Sequence, residues 1–149
     1  MNFFEVQVVY TRQTGEDNPC TVKESYLVEA LTPSSAENRV IEEIKPLVSG
    51  QCDVLRIIQR KFYDLIPNSE GDYWYKARVE MITIEDSGRE TRKGVIVYVQ
   101  ASSVKKAVKQ LQMNLEQCDC ELVSIAKTQI LELYRDVYGE ESENEFYHP

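Results

Sequence analysis

Tyr26-Leu27-Val28-Glu29-Ala30-Leu31-Thr32-Pro33-Ser34-Ser35-Ala36 reads as a strand running into a helix, and it recurs in kind 71 residues later as Val97-Tyr98-Val99-Gln100-Ala101-Ser102-Ser103-Val104-Lys105-Lys106-Ala107. In both copies an apolar, β-prone run ends at an alanine. Thr32 then offers an N-cap with Pro33 at the first helical position, and Ser102 or Ser103 serves the second copy. The same offset of 71 sets Val8 on Val79, Tyr10 against Met81, Val40 against Leu111 and Ile44 against Leu115. Past the helix the offset becomes 68, where Cys52 meets Cys120, Leu55 meets Val123, Ile57 meets Ile125 and Asp64 meets Glu132. The difference is about one helical turn. The chain therefore reads as an α+β fold, a tandem pseudo-twofold duplication of a ββαβ unit with mainly antiparallel sheets and one helix per repeat.

Working outward, Phe4, Val6, Val8 and Tyr10 alternate with Glu5 and Gln7, and Tyr75, Ala77, Val79 and Met81 alternate with Lys76, Arg78 and Glu80. Period two marks half-buried first strands. Thr14-Gly15-Glu16-Asp17-Asn18-Pro19 and Asp86-Ser87-Gly88-Arg89 supply the turn residues that close each pair of strands as a hairpin. Second strands are predicted over Val22–Ala30 and Thr91–Ala101. Ala36, Val40, Ile41 and Ile44 form one apolar helix stripe, and Val104, Ala107, Val108, Leu111 and Leu115 form another. Pro46 and Gly50 stop the first helix. Long third strands are predicted from Asp53 to about Leu65 and from Glu121 to about Tyr134. Their alternation breaks near Ile57-Ile58 and Ile125-Ala126, the signature of a bulge or of a strand changing neighbours. Each sheet is expected to hold three strands, the two being joined along their third strands or packed back to back. Repeats over residues 3–67 and 72–138 would form a single domain, 1–138, followed by an acidic disordered tail, 139–149.

With 149 residues, 42% hydrophobic and 28% charged, the composition is that of an ordinary globular domain. The formal net charge is -8, and the tail from Gly139 holds four acids and no base. Bulk charge thus opposes nucleic-acid and anionic-membrane binding, more weakly in the body than in the whole chain. No apolar run is long enough for a membrane span, and Met1-Asn2-Phe3-Phe4-Glu5 is no secretion signal. A cytoplasmic protein with reduced Cys20, Cys52, Cys118 and Cys120 is expected. Cys118-Asp119-Cys120 has one intervening residue, too few for a structural zinc site, so no metal and no cofactor are expected.

Candidate chemistry is sparse. The only histidine, His148, lies in the tail, which removes most triad chemistry. Asp64 and Glu132 are matched carboxylates, and Cys52 and Cys120 matched thiols, but no base accompanies either pair in sequence. No glycine-rich phosphate motif or nucleophile elbow occurs. No catalytic residue is assigned, and the balance leans away from an enzyme. The best hint of a ligand is aromatic residues interleaved with bases: Arg60-Lys61-Phe62-Tyr63, Tyr73-Trp74-Tyr75-Lys76 with Arg78, and Lys93 with Tyr98. Among these, Arg60, Phe62, Tyr73, Trp74, Lys76, Arg78 and Tyr98 would make a stacking platform with a cationic border. Val9, Leu27, Ile96 and Tyr98 point off the helix side and are too apolar for a solvated face, so that face should be covered by the other repeat, a second copy or a partner.

Phe4-Glu5-Val6-Gln7-Val8-Val9-Tyr10 together with Tyr26-Leu27-Val28-Glu29-Ala30, Thr32, Ser34 and Ala36-Glu37 resembles a family of small uncharacterised proteins of Bacteroides-type bacteria and their phages. The resemblance spans about residues 1–138. It implies a bacterial or phage cytoplasmic setting and transfers no functional residue. The reading that follows is a non-enzymatic binding or scaffolding module for a protein partner or a homodimer. Single-stranded nucleic-acid binding through the aromatic and basic sheet face is the alternative, and a small-ligand site at the junction of the repeats is the third.

Overall fold

The computed structural model describes residues 1–12 and 20–136. The predicted first turn, residues 14–19, and the acidic tail, 139–149, lie outside these residues. The described chain holds two α-helices and eight strands in two mainly antiparallel sheets, an α+β fold. It divides into two compact units, one made of Met1–Arg60 with the segment from Ile130, the other of Lys61–Gln129.

In the first unit, β1 (Asn2–Arg12) pairs antiparallel with β2 (Cys20–Ala30) and with β3 (Val48–Arg60). The alternation of β1 is realised as expected, with Phe4, Val6, Val8 and Tyr10 all buried. They meet Tyr26, Val28 and Ala30 of β2 and the face Ala36, Val40 and Ile44 of α1 (Pro33–Ile44). Each buried aliphatic side chain contributes about 1.5–3 kcal/mol by leaving water. Ala36 has no side chain beyond Cβ and is fully buried, which lets the helix approach the sheet closely. Thr32 caps the helix, its Oγ1 accepting from the Ser35 N–H at 3.1 Å, with Pro33 in the first turn. The helix ends at Ile44, and Pro46 falls in a following 3₁₀ turn, Lys45–Leu47.

The second unit is built the same way locally. Strand β5 (Tyr73–Ile84) pairs antiparallel with β6 (Glu90–Ala101) and with β7 (Cys120–Lys127). The turn between β5 and β6 sits where predicted, with Gly88 at φ 85° and a Gly88 N–H to Glu85 O bond of 2.8 Å. Ser103 caps α2 (Val104–Asn114) through Lys106 N–H, and Ala107 and Leu111, with Leu115 just past its end, cover Tyr75, Ala77, Val79, Val97, Val99 and Ala101.

The third strands depart from expectation. Neither runs unbroken, and each sheet has four strands rather than three. After β3 the chain leaves the first sheet at Lys61-Phe62-Tyr63 and forms β4 (Asp64–Ile66), parallel to β6. After β7 it breaks at Thr128-Gln129 and forms β8 (Ile130–Tyr134), parallel to β2. The orders are β3-β1-β2-β8 and β4-β6-β5-β7, so β3 and β7 are edge strands, each paired with the first strand of its own unit. The breaks are anchored by hydrogen bonds: Tyr63 N–H to Ile96 O at 2.7 Å, and Thr128 N–H and Oγ1 to Trp74 O at 2.8 and 2.7 Å. Bulges occur slightly earlier than predicted, where Leu55 is skipped between Gln7/Val8 and their partners and Val123 between Arg78/Val79 and theirs.

Gly71, in the connection between β4 and β5, lies against the β6 backbone. Gln100 holds that connection, accepting from Asn68 N–H and donating to Gly71 O. A Cβ at Gly71 would fall 2.5 Å from Ala101 N, a backbone atom fixed in the sheet. Gly71→Ala is expected to cost about 2–3 kcal/mol in urea denaturation. Gly50→Ala, with φ 87° but nothing within 4 Å, should cost less, about 1 kcal/mol.

Candidate functional site

The predicted site residues are partly brought together. In β5 the pleat sends Tyr75, Ala77 and Val79 to the helix and Trp74, Lys76 and Arg78 to the opposite face. Lys76 is directly opposite Tyr98 in register, and Trp74 opposite Gln100, so Trp74, Lys76, Arg78 and Tyr98 share the helix-free face of the second unit. Phe62 joins them from the linker, its ring edge-on to Tyr98 at 5.4 Å and 87°. Tyr73 is on the other side of the pleat, under the Lys127 ammonium at 3.5 Å from the ring centroid. Arg60 belongs to the first unit, where its Nε donates to Glu5 Oε1 at 3.0 Å.

Burial decides what this group can do. Trp74 is 1% exposed and Tyr98 2%, so neither ring offers a face to a stacking base. Lys76 and Arg78 remain exposed. Leu27, one of the apolar residues predicted to need cover, is fully buried, while Val9 and Ile96 are half-buried.

An open cleft lies beside these residues. It is lined by Lys61, Phe62, Tyr63, Lys93, Val95 and Ile96, with Gly94 at its floor, and has a volume of about 500 Å³. Its origin is topological. Strand β4 covers only Val97–Val99 of β6, and the Tyr63–Ile96 bond closes the next position. From Glu90 to Val95 the outer edge of β6 has no strand partner among the described residues. Pairing with β5 runs without a register shift, so this edge is regular. Gly94 carries no side chain, and a Cβ there would lie against the Arg78 guanidinium, with Nη2 at 3.4 Å and Nε at 3.7 Å.

The other candidate chemistry is quiet. Asp64 and Glu132 are exposed, in different units. Burial pushes the Cys52 and Cys120 thiols up, away from the thiolate a nucleophile needs. Among the described residues no cluster of histidine, cysteine and carboxylate side chains is set to hold a metal, and no helix is long and apolar enough to cross a membrane.

A half-buried polar network in the first unit went unanticipated. Glu24 points inward from β2 and accepts from the Tyr10 hydroxyl and, at 3.0 Å, from the Tyr26 hydroxyl. Arg12 donates to Tyr10 Oη at 2.9 Å and pairs with Glu24 at 3.2 Å. Tyr26 in turn stacks on Tyr134 of β8, at 5.4 Å, and Arg39 lies over the Tyr134 ring. The fourth strand makes this contact, which explains why spacing along β1 and β2 alone could not reveal it.

A family described as Domain of unknown function (DUF4494) matches residues 2–136, the whole of β1 through β8. The chain belongs to this family. No curated protein matches it. Membership in DUF4494 brings no assigned residue, so the chemistry of this DUF4494 chain rests on the geometry above.

The tyrosines supply a measurable consequence. Burial, with the Glu24 charge next, holds the Tyr26 hydroxyl far above its ordinary value, and burial pushes Tyr134 up to about 12. Tyr10 is raised as well, for the same first reason. Unfolded tyrosines ionise near pH 10, so between about 10 and 12 the folded state keeps protons the unfolded state releases. Stability is intact below pH 10 and falls as the pH climbs through this window. A circular-dichroism titration followed also by phenolate absorbance should show both signals change together above pH 10, and Tyr26→Phe should flatten the dependence.

Proposed function

We propose that this chain is a non-enzymatic binding module for a protein partner, and that the partner adds as a strand to the open half of β6. The edge from Glu90 to Val95, unbulged and without a strand partner among the described residues, ends at Lys93–Val95 in an apolar and cationic cleft, and this carries the reading. Strand addition takes its affinity from main-chain hydrogen bonds and its selectivity from alternate side-chain pockets. Both ingredients are present: outward-pointing backbone groups, and Phe62, Tyr63 and Ile96 beside them. The other long edges are less suited, because β3 and β7 each carry a mid-strand bulge, a feature that disfavours adding a strand. The single-stranded nucleic-acid alternative is weakened by the burial of Trp74 and Tyr98.

We further propose that the two units arose by tandem duplication of one ββαβ unit. The bulge support is specific: the offset of 71 carries Gln7/Val8 onto Arg78/Val79, and that of 68 carries Leu55 onto Val123. Leu55 and Val123 are also equally exposed, at 49%. A cytoplasmic setting, in a bacterium or phage, agrees with four cysteines outside any disulfide.

Gly94→Pro tests the binding site. Ile96 uses its carbonyl on the outer side, so by period two the Gly94 N–H also points outward and its loss leaves the β5 ladder intact. Affinity capture from the native host should retain proteins on the wild-type chain that are lost on Gly94→Pro. An identical retained set on both would refute the site. A decanucleotide of deoxythymidine should not bind either chain, even at low salt.

A further inference from the structure

We infer that the segment received by β6 is an extended acidic peptide; this rests on the strand-addition reading above and adds the chemistry of the occupant. The charge around the cleft carries the inference. Lys61 and Lys93 line it, both exposed, and the Arg78 guanidinium stands over Gly94 at its floor. No ion pair among the described residues engages any of the three. Three nearby carboxylates gather on Arg92 rather than on these cations, Glu121 at 2.6 Å and Glu80 and Glu90 at 3.4 Å each. Three cations without a carboxylate partner among the described residues therefore border one open strand edge.

Lysine on an open edge ordinarily protects a sheet against adding strands, by repulsion and by the cost of stripping water from the ammonium. Here the same charges select. A second copy of the β6 edge would bring Lys93 and Arg92 against themselves and is disfavoured, whereas glutamate or aspartate at alternate positions of an incoming strand neutralises Lys61 and Lys93. Six residues, Glu90 to Val95, make the free edge, about 20 Å long, which one short extended segment spans. Aliphatic residues at the intervening positions would meet Phe62 and Ile96, on the opposite face of the pleat from Lys93.

The test titrates the full chain with an eight-residue peptide of alternating valine and glutamate, its valine–lysine counterpart, and the acidic peptide N-methylated at alternate amides. Binding is read by calorimetry at low and at high salt. The acidic peptide is expected to bind at least tenfold more tightly than the basic one, and to weaken at high salt. Lys61→Glu with Lys93→Glu should lower its affinity at least tenfold, and N-methylation of the edge-facing amides should abolish binding on the unaltered protein. Absence of binding by the acidic peptide overturns the inference. Binding unaffected by N-methylation in either register also overturns it, since polyanion attraction without strand addition would explain it, as would equal binding of deoxythymidine decanucleotide. If capture from the host remains sensitive to Gly94→Pro while the acidic peptide fails, the chemistry assigned to the occupant is wrong and the binding site stands. If both fail, the site itself falls.

Discussion

An interior strand must have both of its backbone edges satisfied, and in this protein that requirement is met only in part for β2 and β6. Each borders a first strand along its whole length on one side. On the other side a short parallel strand covers four residues of β2, Ser25–Val28, and three of β6, Val97–Val99. A buried peptide group left unpaired costs more than a typical hydrogen bond contributes, so these short strands form where the second strands are most buried. Leu27, Val28, Val97, Tyr98 and Val99 are all in the covered stretches and all nearly inaccessible. The uncovered halves run toward the hairpin ends, where water can reach the backbone.

The two units treat that uncovered end differently. In the first, Tyr10, Arg12, Glu24 and Tyr26 form a half-buried hydrogen-bonded group. The positions 71 residues on are Met81, Thr83, Val95 and Val97, without a charge among them. A buried ion pair contributes little net stability compared with apolar packing of similar volume, so the network is better understood as fixing one arrangement of β1, β2 and β8 than as strengthening it. The second unit packs the same end with aliphatic side chains and carries its charges outside, on Lys61, Lys93 and Arg78. One edge therefore presents an inward carboxylate, and the other an apolar cleft with a cationic rim. That difference is why strand addition is proposed at β6.

Much of the local structure was legible in the sequence. Alternation in Phe4–Tyr10 and Tyr75–Met81 located the first strands, and Thr32-Pro33 and Ser103 the helix starts, because period and capping are properties of neighbouring residues. The site was legible only as a set of residue types. Phe62, Lys76, Arg78 and Tyr98 do come together, but Arg60 was already engaged by Glu5, Tyr73 lay on the other side of the pleat, and Trp74 was buried. An aromatic residue in a strand carries no local mark of whether its outer face will be covered. Gly94, which lies in the uncovered half of β6 under the Arg78 guanidinium, reads in isolation as a weak strand position.

By itself the sequence determined the first two strands and the helix of each unit and the faces that turn toward each helix, and it holds no ready-made catalytic motif, since all of these follow from spacing along the chain. Tertiary structure decided where the third strands stop. Lys61-Phe62-Tyr63 and Thr128-Gln129 have no breaker residue of their own; they become breaks because Ile96 O and Trp74 O accept hydrogen bonds there and the chain beyond finds a partially unpaired strand to join. The outer edge left on β6 is the remainder of that pairing, set by hydrogen bonds between residues more than thirty positions apart.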